Sequence, residues 1–407
     1  MDGILKGIKV VDLTTFLAAP TVARVLGEWG ADVIKVESPK GDPGRTQGSV
    51  FNMHYSDDEN LGFDISNMNK RFITLNTKTD EGLKIMYQLL DTANVFLTNV
   101  RSKSLAKMGL DYDTLHKKFP KLIFAQVLGY GENGDKRDAA GFDATCYMAR
   151  GGVLGTTMEK DETPMNPSNG YGDFQVSMCL TAGICGALVK QMNQGVGDKV
   201  TVTLHHAALF MQNVAMVSAQ YGNTYPKSRK EIANPFNNTY KTKDDRWLVM
   251  CVPVYERDYN KVMTVLGRED LIDNPRYNNV DKINAEHLNA EFVQIMGEAF
   301  KKQDLDYWVK AFDKNDLPLE PCYVPTEIYS DEEALKNDEL RKIKCPSGNE
   351  RFIPTNPVKF ASIGKPELKV SKPQGSDTDT ILEELGYSKQ DIQNLSAEGA
   401  VGLTKHI

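Results

Sequence analysis

The chain has few cysteines, and none of them stands in the paired spacing of a metal site or a redox motif. Six cysteines are spread over 407 residues without any C-x-x-C arrangement, and two of them fall inside an apolar stretch, where small buried thiols are common. We therefore expect reduced, structural thiols and no bound metal. The cysteines are Cys146, Cys179, Cys185, Cys251, Cys322 and Cys345.

Long apolar runs and an excess of basic charge are also absent. No apolar run approaches the roughly 20 residues that cross a bilayer. The opening residues have neither the apolar core nor the cleavage site of a secretory signal. The formal net charge of −7 argues against nucleic acid as the main partner. We expect a cytoplasmic protein that binds neither membrane nor nucleic acid.

What the chain does contain is a regular alternation of strand and helix patterns. Two β-branched runs, 7–13 and 31–37, flank a stretch with helical apolar spacing at Val22, Leu26 and Trp29, which predicts strand, helix, strand. Further buried strands are predicted at 71–75, 95–97, 122–128 and 200–204. Strands that are apolar on both sides predict an α/β fold with a parallel sheet covered on both faces.

The composition changes along the chain and suggests domain limits. We predict a large N-terminal domain over 1–220, a polar linker over 221–245 and a smaller α/β domain over 246–323. A second linker and a C-terminal part that returns to the large domain then occupy 324–407. Within the large domain, the polar segment 45–66 is expected to be a long loop.

One acidic residue has a position suited to chemistry. Asp173 follows a glycine and precedes an apolar, helix-patterned segment that runs to about Lys190. The structural interpretation is a helix N-cap. The chemical interpretation is a nucleophile that the helix N-terminus keeps ionised and that the preceding glycine leaves accessible. The glycine-rich run 129–134 follows a strand, but a polar loop comes next instead of a helix, which disfavours a dinucleotide site.

Several ordered blocks resemble the signatures of the family III CoA-transferases, and the similarity covers nearly the whole chain. The first block is 7–20 with 30–45, and the second is 69–78. The third comprises 97–100 and 108–110, and the rest are 120–131, 141–143 and 170–173.

The resemblance implies a Rossmann-like, CoA-binding large domain and one catalytic residue. In this family an aspartate, here Asp173, forms a mixed anhydride and then an aspartyl-CoA thioester. A CoA thioester is the expected substrate, and no tightly bound cofactor is expected. The resemblance also implies an interlocked, ring-like homodimer. The implied CoA-binding residues are Leu17, Ala18, Leu75, Lys78, Asn99, Arg101 and Lys107.

Details of the resemblance favour one branch of the family. Segments 18–20, 234–236, 240–245 and 348–351 are similar to the phenyllactate and 2-hydroxyisocaproate CoA-transferases of amino-acid fermentation. That branch moves CoA from an acyl- or enoyl-CoA to an (R)-2-hydroxycarboxylate and supplies a 2-hydroxyacyl-CoA dehydratase, with which association is expected. The sequence does not distinguish an acceptor acid with a phenyl group from one with an isobutyl group.

Two departures from the family bear on the alternatives. Phe142 stands where the racemase branch has a histidine, and a phenyl ring cannot transfer protons. The segment 211–258 lacks the polyglycine loop of the oxalate branch. An acyl-CoA racemase and a non-catalytic CoA-binding subunit of a dehydratase complex remain the alternative functions.

Overall fold

The structure is a computed structural model that describes residues 3–165 and 170–407. Its strands are β1 (Lys9–Leu13), β2 (Asp32–Glu37), β3 (Arg71–Leu75), β4 (Val95–Thr98), β5 (Ile123–Leu128), β6 (Lys199–Thr203), β7 (Asn237–Lys241), β8 (Trp247–Cys251), β9 (Leu319–Pro321), β10 (Leu340–Lys344), β11 (Glu350–Pro354) and β12 (Val401–Gly402).

The α-helices include one long helix, of 24 residues, among many short ones. They are α1 (Ala18–Glu28), α2 (Gly44–Gln47), α3 (Leu61–Asn67), α4 (Asp80–Asp91), α5 (Ser102–Lys107), α6 (Tyr112–Lys118), α7 (Val153–Thr157), α8 (Tyr171–Gln194), α9 (Leu204–Met211), α10 (Asn213–Ala219), α11 (Tyr255–Val265), α12 (Val280–Ala285), α13 (Asn289–Phe300), α14 (Leu305–Asp313), α15 (Pro325–Ile328), α16 (Glu332–Lys336), α17 (Thr378–Glu384) and α18 (Lys389–Ala397). Short 3₁₀-helices span Gly48–Phe51 and Glu269–Leu271, and a π-helix spans Asp143–Ala149.

The first of two compact units contains a large, mostly parallel sheet. Its described residues are 3–154, 170–217 and 333–407. The strand order is β12-β3-β2-β1-β4-β5-β6, and only the pairing of β12 with β3 is antiparallel. Because β2 and β3 lie on one side of β1 and β4 to β6 on the other, the order reverses between β1 and β4. The predicted Rossmann-like α/β fold is confirmed.

Both faces of this sheet are covered by helices. Val10 and Val11 are adjacent in β1 and fully buried, yet they belong to separate cores, because successive side chains in a strand point to opposite faces. Helices α1 and α8 pack on one face, and α4, α17 and α18 pack on the other. Apolar side chains on both sides of the strands therefore come from this two-sided burial, as the pattern predicted.

The second unit has its own aromatic core. It comprises residues 155–165 and 218–332, and its antiparallel sheet has the order β7-β8-β9. The sequence placed the small domain at 246–323 after a linker at 221–245. Strand β7 lies inside that expected linker and pairs with β8, with Thr239 opposite Val249. Only alternate residues of β7 face the core. The segment is therefore polar in composition, and the sequence analysis took it for a linker.

Two other segments differ from the sequence-based expectation. The segment 45–66 is not simply a long loop, since it contains most of α2, a 3₁₀-helix and most of α3. Glu59 anchors it by accepting hydrogen bonds from Asn349, Ser347 and Arg351. Ser347 and Asn349 lie in the turn of the β10–β11 hairpin and Arg351 lies in β11, and the sequence did not predict this hairpin. Contacts some 290 residues apart in the chain leave no local pattern.

Helix α8 is long and apolar enough to cross a membrane when judged by length and composition alone. Its place in the first unit gives a different explanation. Val176, Leu180, Ile184 and Leu188 are buried in the core beside α1. Because these buried residues are four positions apart, they lie along one side of α8 and pack in the core on the face of the sheet that α1 also covers.

Candidate active site

A cleft of about 400 Å³ opens at the carboxyl ends of the central strands. It is lined by the residues that directly follow β1, β4, β5 and β6, and by the first turn of α8. The order of strands reverses between β1 and β4, and in open α/β sheets ligands bind at such a point. The lining residues are Thr15, Phe16, Leu17, Ala18, Asn99, Val100, Arg101, Ser104, Val127, Leu128, Gly129, Arg137, Ala139, Ala140, Gly141, Phe142, Asp173 and Leu204.

Asp173 is half-buried and lines this cleft. Helix α8 begins at Tyr171, and its N-cap is Gly170, whose φ of +99° is in the region that favours glycine. Asp173 is therefore the third residue of the helix, so the N-cap interpretation of this residue is wrong. Within the described residues, no donor lies at hydrogen-bonding distance from its carboxylate. Its oxygens are therefore free to face a substrate.

The cap of α8 comes from Asp143, the first residue of the π-helix. Its Oδ2 accepts a hydrogen bond from the Gly170 N–H at 2.9 Å, and its Oδ1 accepts one from the Gly172 N–H at 2.8 Å. Both oxygens of this buried carboxylate are thus used to satisfy the end of the helix. Sequence analysis quoted Asp143 as part of a motif but gave it no role, because its partners lie 27 and 29 residues away.

The electrostatics at Asp173 oppose ionisation. Burial, and then the negative charge of Asp143, raise the pKa of Asp173 to about 7. The expectation that the helix N-terminus keeps this carboxylate ionised needs correction. Desolvation outweighs the favourable helix dipole, and Asp143 already interacts with the end of that dipole. A carboxylate with this pKa is a stronger base and nucleophile than an ordinary aspartate, and it is about half ionised near neutral pH.

Side chains from three elements hold the turn after β1 in place. Asn99 accepts a hydrogen bond from the Thr15 N–H at 3.0 Å and donates one to the Thr15 carbonyl at 2.7 Å. The Asp42 Oδ1 accepts one from the Phe16 N–H at 3.2 Å. Lys35 donates to the Thr14 carbonyl at 3.0 Å. This wall of the cleft is therefore fixed by specific contacts before any ligand binds.

Ser177 joins the first turns of α1 and α8. Its hydroxyl oxygen lies 2.5 Å from the Ala18 carbonyl and 2.6 Å from the Asp173 carbonyl. Helix α1 has no side-chain cap on its first turn and no acidic residue there. The backbone N–H groups of Leu17 and Ala18, which no side chain among the described residues caps, thus border the cleft that Asp173 lines, where they favour developing negative charge.

The predicted CoA-binding residues separate into two groups. Leu17, Ala18, Asn99 and Arg101 line the cleft together with Asp173. Leu75, Lys78 and Lys107 do not line it: Leu75 is a core residue of β3, and the two lysines are exposed.

The cleft has two cations, one of which the sequence analysis missed. Arg101 is exposed and makes no ion pair with another described residue, whereas Arg137 has Asp138 at 3.6 Å. Among the described residues, no acid binds either guanidinium group tightly, so both arginines can bind phosphate or carboxylate groups of a ligand. Arg137 gave no sequence signal, since it lies in a polar loop that resembles any solvated segment.

Gly129, the first residue of the glycine-rich run after β5, packs closely against Gly141. A Cβ at Gly129 would lie 2.8 Å from the Gly141 Cα, and one at Gly141 would lie 2.5 Å from the Cys146 sulfur. The next helical segment begins only at Asp143, and it is a π-helix, so this run does not have the helix opening that a dinucleotide site needs. No group of three or more potential metal ligands occurs in the part of the chain that the structure describes.

Comparisons with known proteins agree with this geometry. The family model described as CoA-transferase family III matches residues 5–378. The chain is 41% identical over 405 residues to the cinnamoyl-CoA:phenyllactate CoA-transferase of Clostridium sporogenes. This alignment covers 99% of this chain and 98% of that protein. It is also 41% identical over 391 residues to the (R)-2-hydroxy-4-methylpentanoate CoA-transferase of Clostridioides difficile, with 96% and 98% covered.

Among solved structures, a CAIB/BAIF family protein from Brucella suis superposes with a TM-score of 0.79 and 26% identity, over 95% of this chain and 100% of that one.

Proposed function

Since this chain belongs to CoA-transferase family III, we propose that it moves coenzyme A from an acyl-CoA or enoyl-CoA to an (R)-2-hydroxycarboxylate. Two relatives whose names state transfer to such acids are each 41% identical to it over nearly the full length. The observation that carries the mechanism is the placement of Asp173 in a cleft at the carboxyl ends of the strands, with carboxylate oxygens that accept no hydrogen bond from a described residue.

The reaction proceeds through two anhydrides and one thioester on Asp173. The carboxylate attacks the donor thioester, which forms an acyl-aspartyl anhydride and releases CoA as thiolate. The thiolate then attacks the aspartyl carbonyl, which gives aspartyl-CoA and frees the donor acid. The acceptor carboxylate attacks aspartyl-CoA, forms a second anhydride and expels the thiolate again. Attack of the thiolate on the acceptor's acyl carbon yields the new thioester and restores Asp173.

Each tetrahedral intermediate places negative charge on an oxygen beside the cleft wall. We assign its stabilisation to backbone N–H groups at the start of α1, next to Leu17 and Ala18, because no side chain among the described residues caps them. Arg101 and Arg137 are proposed to bind the anionic groups of the substrates, and Asn99 to hold the wall. Leu75, Lys78 and Lys107 stay proposed contacts of the CoA chain outside the cleft.

The alternatives are disfavoured by the side chains that line the cleft. Racemisation by two bases needs acid–base groups on opposite faces of the α-carbon. Asp173 is the one acid among the described lining residues, which include no histidine, and the family resemblance implies that Phe142 stands where the racemase branch has a histidine. A CoA-binding subunit without catalysis would have no need of a carboxylate with a pKa of about 7.

Trapping of the covalent intermediate tests the proposal. The protein is incubated with cinnamoyl-CoA, treated with hydroxylamine or borohydride, and analysed by peptide mass spectrometry. We expect a modification on Asp173, and we expect Asp173→Ala to lose transfer while Asp306→Ala, an exposed acid in α14, keeps it. Transfer that persists in Asp173→Ala would refute the mechanism, and solvent deuterium incorporated at the α-carbon of a saturated, α-branched acyl-CoA without transfer would establish the racemase.

The same proposal includes an assembly and a cellular setting. Large apolar side chains on α8, α9 and α10 are exposed in the single chain: Met192 is 68% exposed, Phe210 67% and Val214 84%. Such a surface is typical of an interface, which supports the interlocked homodimer. We place the reaction in the cytoplasm, where a 2-hydroxyacyl-CoA dehydratase would take the product, with or without direct association.

A further inference from the structure

Phe16, in the wall of the cleft, has an unfavourable backbone conformation. Its φ is +65°, in the left-handed region that bulky side chains rarely adopt. Such a conformation persists where the surrounding contacts impose it, and these positions concentrate at functional sites. Two features of the structure bear on this conformation: the contacts that impose it and the position that it gives the Phe16 ring.

The cause is a buried network of charges behind the turn. Asp42 accepts from the Phe16 N–H with Oδ1 and forms an ion pair with Lys35 at 2.9 Å through Oδ2. Both of these side chains have no exposed surface, and Lys35 also binds the Thr14 carbonyl. Asp12 and Lys70 form a second fully buried pair at 2.9 Å. Breaking one partner of such pairs is costly, so the turn has little freedom to relax.

The use is the position of the Phe16 ring. It packs edge-to-face against Phe142, with ring centroids 5.7 Å apart and planes at 88°. Both rings line the cleft that contains Asp173. Phe142 is 56% exposed, so its ring is accessible to a ligand in the cleft. Leu17, Leu204 and Val127 extend the same apolar lining.

We infer that Phe16 and Phe142 form the binding surface for the carbon side chain of the 2-hydroxy acid, and that this surface favours an aryl side chain over a branched alkyl one. The inference rests on the proposed function. An aromatic ring added to an edge-to-face pair gains quadrupole interactions beyond those of area alone, and an isobutyl group cannot make them. Because the backbone of Phe16 is already fixed, binding of the acid costs less conformational entropy at this residue.

The experiment compares kcat/KM for phenyllactate and for 2-hydroxy-4-methylpentanoate as acceptors, with cinnamoyl-CoA as donor. The wild-type protein should prefer phenyllactate. Phe142→Leu and Phe16→Leu should each lower the phenyllactate to 2-hydroxy-4-methylpentanoate ratio of kcat/KM by roughly two- to tenfold. Phe360→Leu is the matched control, because Phe360 forms an edge-to-face pair with Trp29 at 5.2 Å and does not line the cleft.

The possible outcomes separate the inference from the proposed function. If the wild-type protein forms no adduct at Asp173 and transfers no CoA to either acid, the proposed function fails. If transfer occurs but both leucine variants keep the wild-type ratio, or lose both activities equally, the inference is overturned. A wild-type preference for 2-hydroxy-4-methylpentanoate would overturn it as well. The two leucine variants are independent, so misfolding of one leaves the other as the test.

Discussion

At the scale of single residues, the site depends on a carboxylate that folding places under strain. Burial and the charge of Asp143 raise the pKa of Asp173 to about 7 from an ordinary value of 3.8. The folded state therefore holds a proton on Asp173 that the unfolded chain has already lost near neutral pH. The same shift that makes Asp173 a better nucleophile must reduce the stability of the folded protein.

Asp173→Asn should consequently stabilise the protein at pH 8. For an acid whose folded pKa is raised, the favourable contribution of the protonated form is present below pH 4 and is lost as the pH rises to about 7. The free energy of unfolding of the variant should exceed that of wild type at pH 8 and equal it near pH 4. Urea unfolding at the two pH values measures the difference, and an equal effect at both would contradict the raised pKa.

The rate of the reaction should follow the same ionisation. We expect kcat/KM for the donor thioester to rise with pH and to reach half its plateau near pH 7, because the attacking form is the carboxylate. Asp143→Asn removes the second cause of the shift and leaves burial, so the midpoint should move to lower pH but stay above 4. A pH–rate profile of both proteins tests this, and an unmoved midpoint would show that Asp143 has no electrostatic effect.

At the scale of elements, the start of α8 depends on a close contact with the π-helix. A Cβ on Gly172 would lie 2.2 Å from the Tyr147 ring and 2.4 Å from the Asp143 Oδ1. Gly172 thus permits the contact that caps the helix and positions Asp173 one residue later. Helical glycine normally costs stability, so its presence here has a packing reason.

Two substitutions in the same helix separate these effects. Gly172→Ala should lower both stability and the rate of transfer, because the methyl group displaces Tyr147 and Asp143. Gly186→Ala meets nothing within 4 Å and should raise the free energy of unfolding by up to about 1 kcal/mol with the rate unchanged. Urea unfolding and transfer assays provide both readouts. Equal behaviour of the two variants would remove the packing argument.

At the scale of the whole molecule, the proposed interlocked dimer leads to a kinetic prediction. Chains that thread through one another cannot separate without unfolding, so subunits of the native protein should not exchange. Sedimentation should give twice the mass of one chain. Tagged and untagged proteins mixed after purification should form no mixed dimers over a day, whereas co-expressed chains should form them. A monomer, or exchange within hours, would contradict interlocking.

Long-range contacts mark the limit of what the sequence predicts at this scale. The strands β1 to β6 and helices α1 and α8 were predicted from periodicity, with ends a few residues off. Strand β7 was missed because only its alternate residues face the core. The β10–β11 hairpin and the helices within 45–66 were missed as well, and the contact of Glu59 with Arg351 that joins these two segments spans 292 residues of the chain.

The sequence by itself determined the alternation of buried strands and helices and the family, and it indicated Asp173 as the candidate nucleophile, because local periodicity and motif spacing are written in consecutive residues. The tertiary structure alone decided that Asp143 caps α8, that the pKa of Asp173 is raised, and that Asp42 holds Phe16 against Phe142. Each of these depends on burial and on side chains distant in the chain. In the unfolded chain no carboxylate is buried, so the pKa of Asp173 is not raised. The order of residues along the chain does not indicate which side chains folding will bring into contact.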